Sequence, residues 1–121
     1  MTSALRALLV VVALGGCKDK PSPPSEPATR APPVPHSELR RGQEACHAYV
    51  AKVCACAATV PAASDPCKLS KALPEAIDVS MQVAVSPESQ KKDVLHAAQV
   101  IRQTAAECIE QTAKLPLLGC P

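Results

Sequence analysis

The chain has 121 residues, enough for one domain, with 13 prolines, 7 cysteines, one tyrosine and neither Trp nor Phe. Its mean hydropathy is +0.06 and 47% of its residues are apolar, so wholesale disorder is not expected. Lys and Arg outnumber Asp and Glu by 13 to 11, which leaves a formal charge of +2. This balance argues against nucleic acid as a partner, and the missing aromatic residues remove the stacking platforms of single-strand binders.

Residues 1–16 have the organisation of an export signal. A single cation, Arg6, precedes an apolar run from Ala7 to Leu14 and two glycines. The apolar run is too short to cross a bilayer, because a transmembrane helix needs about 20 residues. We therefore expect residues 1–16 to be a signal peptide that delivers the mature chain to the cell envelope.

Cys17 follows one aliphatic and two small residues, in the order Leu14-Gly15-Gly16-Cys17. This motif resembles the lipobox of bacterial lipoproteins, and the resemblance covers only the leader and the start of the mature chain. It implies a diacylglyceryl thioether on Cys17, cleavage before Cys17 and membrane anchoring by acyl chains such as palmitate. In this family, Asp directly after the cysteine is an inner-membrane signal; Lys18 stands there, which favours the outer membrane. The alternative is an ordinary signal peptide, with Cys17 left as a thiol.

Residues 17–36 contain a dense run of prolines after the cysteine. Proline lacks the N–H that helices and sheets require and favours the extended polyproline II conformation. The segment is therefore predicted to be a disordered, semi-rigid tether of about 3.1 Å per residue, reaching up to ~60 Å. Its serines and threonine also resemble those of glycosylated stalks, and a docking motif for a proline-binding partner is a further alternative.

Residues 37–121 are predicted to form an all-α domain, a small disulfide-stapled three-helix bundle. The first helix is expected to begin with Ser37 as its N-cap and to extend to Ala58. Apolar residues recur along it at spacings of four and three, which predicts one buried stripe. The members of this stripe are Cys46, Val50, Val53, Ala57 and Val60.

The second and third helices are less uniform in pattern. Asp65 and Pro66 are predicted to be the N-cap and first residue of a segment that runs to Val85 and is broken or kinked at Pro74. Residues 77–85 alternate like a strand, but the chain has no second alternating run to pair with, so helix is favoured. The third helix is predicted to start at a Ser86 N-cap and to end near Lys114.

Seven cysteines are an odd number, and lipid on Cys17 would leave an even set. We expect the remaining six to form structural disulfides, which persist in an oxidising compartment and contribute about 2–4 kcal/mol each. They are Cys46, Cys54, Cys56, Cys67, Cys108 and Cys120. The expectation fits a domain whose core contains neither Phe nor Trp.

Helix geometry limits the possible pairings. Cys54 and Cys56 point about 200° apart on a helix, so each is expected to bond a different neighbour. Cys67 and Cys108 are predicted to be these neighbours, in an order that stays open. Cys46 is then predicted to pair with Cys120 on the returning C-terminal tail.

The polar residues form no catalytic constellation. The sequence contains no Gly-x-Ser-x-Gly, no His-Glu-x-x-His and no Gly-rich phosphate loop. His47 is adjacent to Cys46, but neighbouring helical residues do not face each other. No catalytic residue, cofactor or metal site is predicted, and the chain is not expected to be an enzyme. The prediction is a cell-envelope lipoprotein whose head, residues 37–121, is a structural or protein-interaction module for an unknown envelope partner.

Two alternatives stay open. The first is a periplasmic metal-binding lipoprotein, since soft ligands are available in Cys54, Cys56, His47, His96 and Met81. The second is an inhibitor or immunity-type lipoprotein, because small disulfide-bonded heads often block enzymes.

Overall fold

The computed structural model describes residues 31–121, so the leader, Cys17 and most of the tether lie outside the description. The α-helices are α1 (His36–Ala57), α2 (Ser64–Ser70), α3 (Ala72–Val85) and α4 (Lys91–Lys114). Short 3₁₀ helices follow α1 and α4, at Pro61–Ala63 and Leu115–Leu118. Residues 31–121 contain no strand. The prediction of an all-α domain with three long helices and disulfides is confirmed.

The N-cap of α1 lies two residues before the predicted one. Pro35 is the N-cap and Ser37 lies inside the first turn, so the prediction that Ser37 caps the helix is wrong. Val34 packs against the core, and with Leu39 it occupies the two positions of a hydrophobic staple. Apolar packing therefore takes the place of a polar cap at this helix start. The prediction that His36 belongs to the tether is wrong, because it is the first residue of α1.

The buried face of α1 differs from the predicted stripe. It comprises Leu39, Gly42, Cys46, Tyr49, Val53 and Cys56. Val50 is only half-buried, whereas the neighbouring Tyr49 is 5% exposed. Both rows keep the spacing of three and four, so periodicity alone does not distinguish them. The ring of Tyr49 removes more apolar area from water than a valine does, which favours the observed face.

The ambiguous residues 77–85 are helical, as favoured from the sequence, and belong to α3. The predicted break is present, but it lies at Lys71, three residues before Pro74. Pro74 has no N–H to offer the carbonyl of Ser70, and its ring would clash with that carbonyl in a continuous helix. Pro74 instead occupies the first turn of α3, where a missing N–H is tolerated.

Helix α2 also starts earlier than predicted. The 3₁₀ turn Pro61–Ala63 leads directly into Ser64, and Ala63 is the N-cap. Asp65 and Pro66 therefore lie within the first turn, and their predicted roles as N-cap and first helical residue are wrong. Ala63 is fully buried, so burial of a small residue rather than a capping side chain positions this end.

Helix α4 begins later than the predicted Ser86 N-cap. Gln90 and Asp93 form a capping box, in which the Gln90 N–H donates to the Asp93 carboxylate at 2.9 Å. Ser86 instead terminates α3, with its N–H donating to the Gln82 carbonyl at 3.1 Å. The predicted end of the third helix near Lys114 is confirmed.

Helices α1 and α4 run parallel. Three cross-helix contacts advance together along both helices: Glu38 with Arg102, Gly42 with Ala105, and Cys46 with Cys108. Since the residue numbers on both helices increase from one pair to the next, the two helices point in the same direction. We call this row of contacts the α1–α4 seam. The short link between α3 and α4 makes α3 run the opposite way, and α4 packs extensively against both partners.

The core lies where α1, α3 and α4 meet. Its largest fully buried side chains are Ile77, Ile101, Val53, Val94, Cys46 and Cys108. Two of these six are disulfide-bonded to each other, so a covalent bond crosses the centre of an aliphatic core. Ile77 of α3 approaches the seam, since its Cδ1 lies 3.7 Å from the position of a Cβ on Gly42.

Candidate functional site

The candidate lipidation site, Cys17, lies outside the described residues. The six cysteines of the head all lie within residues 31–121, and they bond to one another. The pairs are Cys46–Cys108, Cys54–Cys67 and Cys56–Cys120, with Cα–Cα distances of 4.9, 4.7 and 5.6 Å. Cys54 and Cys56 do bond different neighbours, as expected from their divergence on one helix.

Part of the predicted pairing is wrong. Cys54 bonds Cys67, which is one of the two orders that the sequence allows. Cys56 bonds Cys120 rather than Cys108. Cys46 bonds Cys108 rather than Cys120. The cause is the register of the parallel helices, which places Cys108 opposite Cys46 and well before the C-terminal end of α1. Cys56 lies about 15 Å further along α1 than Cys46, at about 1.5 Å per residue, beside the tail that follows α4.

Gly119 turns that tail toward Cys56. Its φ of 88° lies in the left-handed region, which favours glycine. The N–H of Gly119 donates to the Pro116 carbonyl at 3.1 Å, and the N–H of Cys120 donates to the Leu115 carbonyl at 3.2 Å. These two bonds reverse the chain at the end of the 3₁₀ helix and deliver Cys120 to α1.

The three disulfides differ in burial. Cys46 and Cys108 are 0% exposed, and Cys56 and Cys120 are 6% and 5% exposed. Cys54 and Cys67 are only half-buried, at the junction of α1 and α2. The Cys54–Cys67 bond also closes the shortest loop, with a sequence separation of 13 against 62 and 64 for the others. It is thus the least buried of the three disulfides and the one that joins the elements closest in sequence.

An apolar groove lies between α3 and α4. Its volume is 390 Å³ and its walls include Val79, Val83, Ala97 and Val100. Val79 and Val83 are 52% and 38% exposed, although both are large aliphatic residues. Glu88, Asp93 and His96 lie at its polar rim. We call this feature the α3–α4 groove.

A second groove of 600 Å³ follows the α1–α4 seam, where an ion pair lies at the surface. The Arg102 guanidinium donates Nε to Glu38 Oε1 at 2.6 Å and Nη2 to Oε2 at 3.3 Å, a bidentate arrangement. These hydrogen bonds and the guanidinium charge lower the pKa of the Glu38 carboxyl below its ordinary value and raise the pKa of Arg102. The pair joins the two helices but is exposed to solvent.

A small cleft of 210 Å³ separates α2 from α1 and α4. Pro66, Leu69 and Ser70 of α2 form one wall, while Tyr49 and Glu107 lie on the other helices. Burial, assisted by the nearby Glu107 carboxylate, raises the pKa of the Tyr49 hydroxyl above its ordinary value. Because Tyr49 is the single tyrosine of the chain, this cleft carries its own spectroscopic reporter.

The candidate metal ligands are not brought together as a thiolate site. Cys54 and Cys56 are bonded to other cysteines, and a disulfide sulfur lacks the thiolate charge that binds soft metals. His47 and His96 are exposed on α1 and α4, and Met81 is half-buried in α3. Across residues 31–121 no group of three or more His, Cys, Asp or Glu side chains is arranged to hold a metal ion.

Three features were missed from the sequence: the buried Tyr49, the close approach at Gly42, and the Glu38–Arg102 pair. Tyr49 and Gly42 extend a row with Cys46 and Val53 at the same spacing as the predicted stripe, which was the available signal. The pairing of Glu38 with Arg102 left no signal, because it depends on the register of two helices far apart in the sequence.

Comparison with known proteins supplies no relative for this chain. No family model, no curated protein and no solved structure matches it. Within residues 31–121, none of the helices has the length and apolar character needed to span a bilayer.

Proposed function

We propose that this protein is a bacterial cell-envelope lipoprotein, held to a membrane by acyl chains on Cys17, whose helical head is a structural or protein-interaction module. The observation that carries the proposal is the division of the cysteines. The chain has 7, and three disulfides use six of them within the head. The cysteine that remains is Cys17, which occupies the lipid-accepting position of the Leu14-Gly15-Gly16-Cys17 motif.

The disulfides support export in a second way. A core with three buried or half-buried disulfides requires an oxidising compartment to form, and cytosolic thiols would keep these cysteines reduced. Export through the signal peptide at residues 1–16 would place the head in such a compartment. The proline-rich tether would then separate the head from the membrane surface, and Lys18 favours the outer membrane as that surface.

The lipid anchor is tested by metabolic labelling. A bacterial host producing the full chain is supplied with an alkyne-tagged fatty acid, in parallel with a host producing the Cys17→Ser variant. We expect the tag on the wild-type protein only. Its mass should be that of a chain that begins at residue 17 and carries the acyl groups. Density-gradient separation of the two membranes then tests the outer-membrane assignment.

An untagged wild-type protein, or an unprocessed chain recovered from the cytosol, would contradict the anchor. The Cys17→Ser variant keeps all six head cysteines, so an intact disulfide pattern in that variant excludes misfolding as the reason for a lost label.

The α3–α4 groove supports the interaction role. Exposed apolar side chains that form a groove are typical of protein-binding surfaces, and Val79 and Val83 both line this groove while exposed to solvent. A photoreactive amino acid at Val83 is expected to cross-link a distinct envelope protein in living cells. The same label at Ala48, exposed on α1, is the matched control. Equal cross-linking from both positions would contradict a specific partner at this groove.

The metal-handling alternative loses its strongest ligands once Cys54 and Cys56 are oxidised. Purification of the full chain under native conditions, followed by thiol counting and metal analysis, separates the two functions. Six disulfide-bonded cysteines without copper or zinc fit the interaction module, whereas free thiols with bound metal would replace it.

A further inference from the structure

The disulfide between α1 and α2 differs from the other two in burial, loop length and the element it holds. Cys54 and Cys67 are half-buried, whereas the four remaining disulfide cysteines are at most 6% exposed. Thiol–disulfide exchange requires an incoming thiolate to reach a sulfur atom, so exposure controls where exchange begins. The Cys54–Cys67 bond is the one that meets this requirement first.

Helix α2, which this bond joins to α1, buries little surface of its own, since Ser70 is its one fully buried residue. Helix α2 has 7 residues, which is too few for a helix to be stable without tertiary packing. Besides the disulfide it is positioned by small side chains, namely the buried Ser70, the half-buried Pro66 and the buried Ala63 that precedes the helix. Leu69, its largest apolar residue, is 75% exposed and adds little burial. Opening of the disulfide would therefore remove the main constraint that holds α2 against α1.

The long helices do not share this dependence. Cys46–Cys108 joins α1 to α4 through the core, and Cys56–Cys120 joins the C-terminal tail to α1. Both bonds would persist when the exposed one opens. The bundle can thus release α2 while α1, α3 and α4 remain packed.

We propose that Cys54–Cys67 is a redox-operated latch: a dithiol protein of the thiol–disulfide exchange class reduces it selectively, frees α2 and uncovers the cleft that contains Tyr49 and Leu73. We call this disulfide and α2 the latch. The inference depends on the disulfides of the head and not on the lipid anchor, so the two proposals fail independently.

The exchange is a two-electron reaction with a defined balance. A thiolate of the dithiol attacks one sulfur of the Cys54–Cys67 bond, which forms a mixed disulfide and releases the other sulfur as a thiolate. The second thiol of the dithiol then attacks the mixed disulfide. Cys54 and Cys67 end as two thiols, with two protons that balance those lost by the two thiols of the partner, and the partner ends as a disulfide.

Uncovering the cleft changes the chemistry of one residue that can be observed alone. Tyr49 is 5% exposed, and α2 forms the wall opposite it. Release of α2 admits water and lowers the pKa of the Tyr49 hydroxyl toward that of a free tyrosine. With one Tyr and no Trp in the chain, ultraviolet titration of the phenolate reports on this site only.

The test uses the full-length oxidised protein and stepwise addition of dithiothreitol, with thiols trapped by alkylation and located by peptide mapping. We expect Cys54 and Cys67 to be alkylated first, at a rate at least about tenfold above that of the buried pairs, because exchange follows access. In the same sample the Tyr49 pKa is expected to fall, and trypsin to cleave after Lys68 or Lys71 in the α2 region. Far-ultraviolet circular dichroism should retain most of its helical signal.

Two double variants separate the latch from general loosening. Cys54→Ala/Cys67→Ala is expected to reproduce the low Tyr49 pKa and the trypsin cleavage without any reductant. Cys56→Ala/Cys120→Ala, the matched control, loses a longer loop and should unfold more easily as a whole. Below its unfolding transition, where circular dichroism shows it folded, it should leave both unchanged. Alkylation of Cys46 or Cys120 before Cys54 would overturn the proposal. Selective reduction that leaves the Tyr49 pKa and the trypsin pattern unchanged would overturn it equally.

Discussion

The α1–α4 seam and the latch both join an element to α1 through a disulfide, but the rest of their packing is opposite. At the seam, Cys46–Cys108 is completely buried, and the helices approach so closely that a Cβ on Gly42 would lie 3.1 Å from that of Ala105. At the latch, Cys54 and Cys67 are half-buried and hold a helix of 7 residues.

This contrast shows that a disulfide count does not describe how a small domain is held together. A cross-link embedded in packed helices adds to burial that already exists, and removing it also leaves a cavity. A cross-link at the edge substitutes for burial that is absent, so it can open without loss of the core.

Removal of the seam disulfide is expected to have the largest effect. The Cys46–Cys108 bond closes a loop of 62 residues, so Cys46→Ala/Cys108→Ala is predicted to lower the free energy of unfolding by about 4 kcal/mol. For Cys54→Ala/Cys67→Ala the loop of 13 residues predicts about 3 kcal/mol. Urea unfolding followed by circular dichroism under one set of conditions compares the two.

The first of these losses approaches the whole stability of a marginal domain, which is about 5 kcal/mol at the lower end. The Cys46→Ala/Cys108→Ala variant should therefore be partly unfolded at physiological temperature, while the latch variant stays folded. A latch variant that is the less stable of the two would refute the proposed contrast.

Overpacking of the seam is expected to have an intermediate effect. Gly42→Leu forces a side chain against Ala105 and Ile77, and overpacking of this kind destabilises a fold by about 1–3 kcal/mol. Ala48→Leu adds the same side chain on the exposed face of α1 and should change stability by less than about 0.5 kcal/mol. Thermal unfolding of both variants measures the difference.

A second substitution identifies the cause of that loss. Ala105→Gly removes the nearest methyl group, so it should restore part of the stability when it is combined with Gly42→Leu. If the double variant is no more stable than expected from the two single changes, close approach at this point is not what Gly42 provides.

The surface ion pair of the seam is expected to have the smallest effect, and one that depends on pH. Arg102 lowers the pKa of the Glu38 carboxyl in the folded state. A carboxyl with a lowered folded pKa stabilises the fold above its unfolded pKa, and this contribution disappears as the pH falls through the folded value. The stability difference between wild type and Glu38→Gln should therefore be present at neutral pH and vanish in acid.

Salt provides the control for this effect. Because Glu38 and Arg102 are exposed, high ionic strength should shrink the difference at neutral pH. Glu44→Gln, a change of another exposed carboxylate on α1, is the matched control variant. A Glu38→Gln effect that persists below the pKa range of free glutamate would exclude the ion pair as its source.

Local chemistry in the sequence was sufficient for several features. The spacing of apolar residues predicted the long helices, Pro74 predicted an interrupted second segment, and Lys114 marked the end of the third helix. The divergence of Cys54 and Cys56 predicted that they bond different partners. Each of these depends on interactions between residues close together in the chain, which the order of residue types largely determines.

The caps were less predictable, because several candidates competed at each helix start. Ser37, Asp65 and Ser86 were each suited to an N-cap, yet the observed starts use Pro35, Ala63 and Gln90. Apolar packing of Val34, burial of Ala63 and the capping box with Asp93 outweighed the intrinsic preference of serine or aspartate. Differences of about 1 kcal/mol between caps are easily reversed by such contacts.

The sequence by itself determined that the chain forms helices, that six cysteines are available to the head, and that the motif at Cys17 resembles a lipid-accepting site. Only the tertiary structure decided which cysteines bond, because the pairing follows from the register of α1 against α4. That register places Cys108 opposite Cys46 and leaves Cys56 for the tail. It is set by the simultaneous packing of residues more than sixty positions apart, such as Gly42 against Ala105, and no local pattern encodes it.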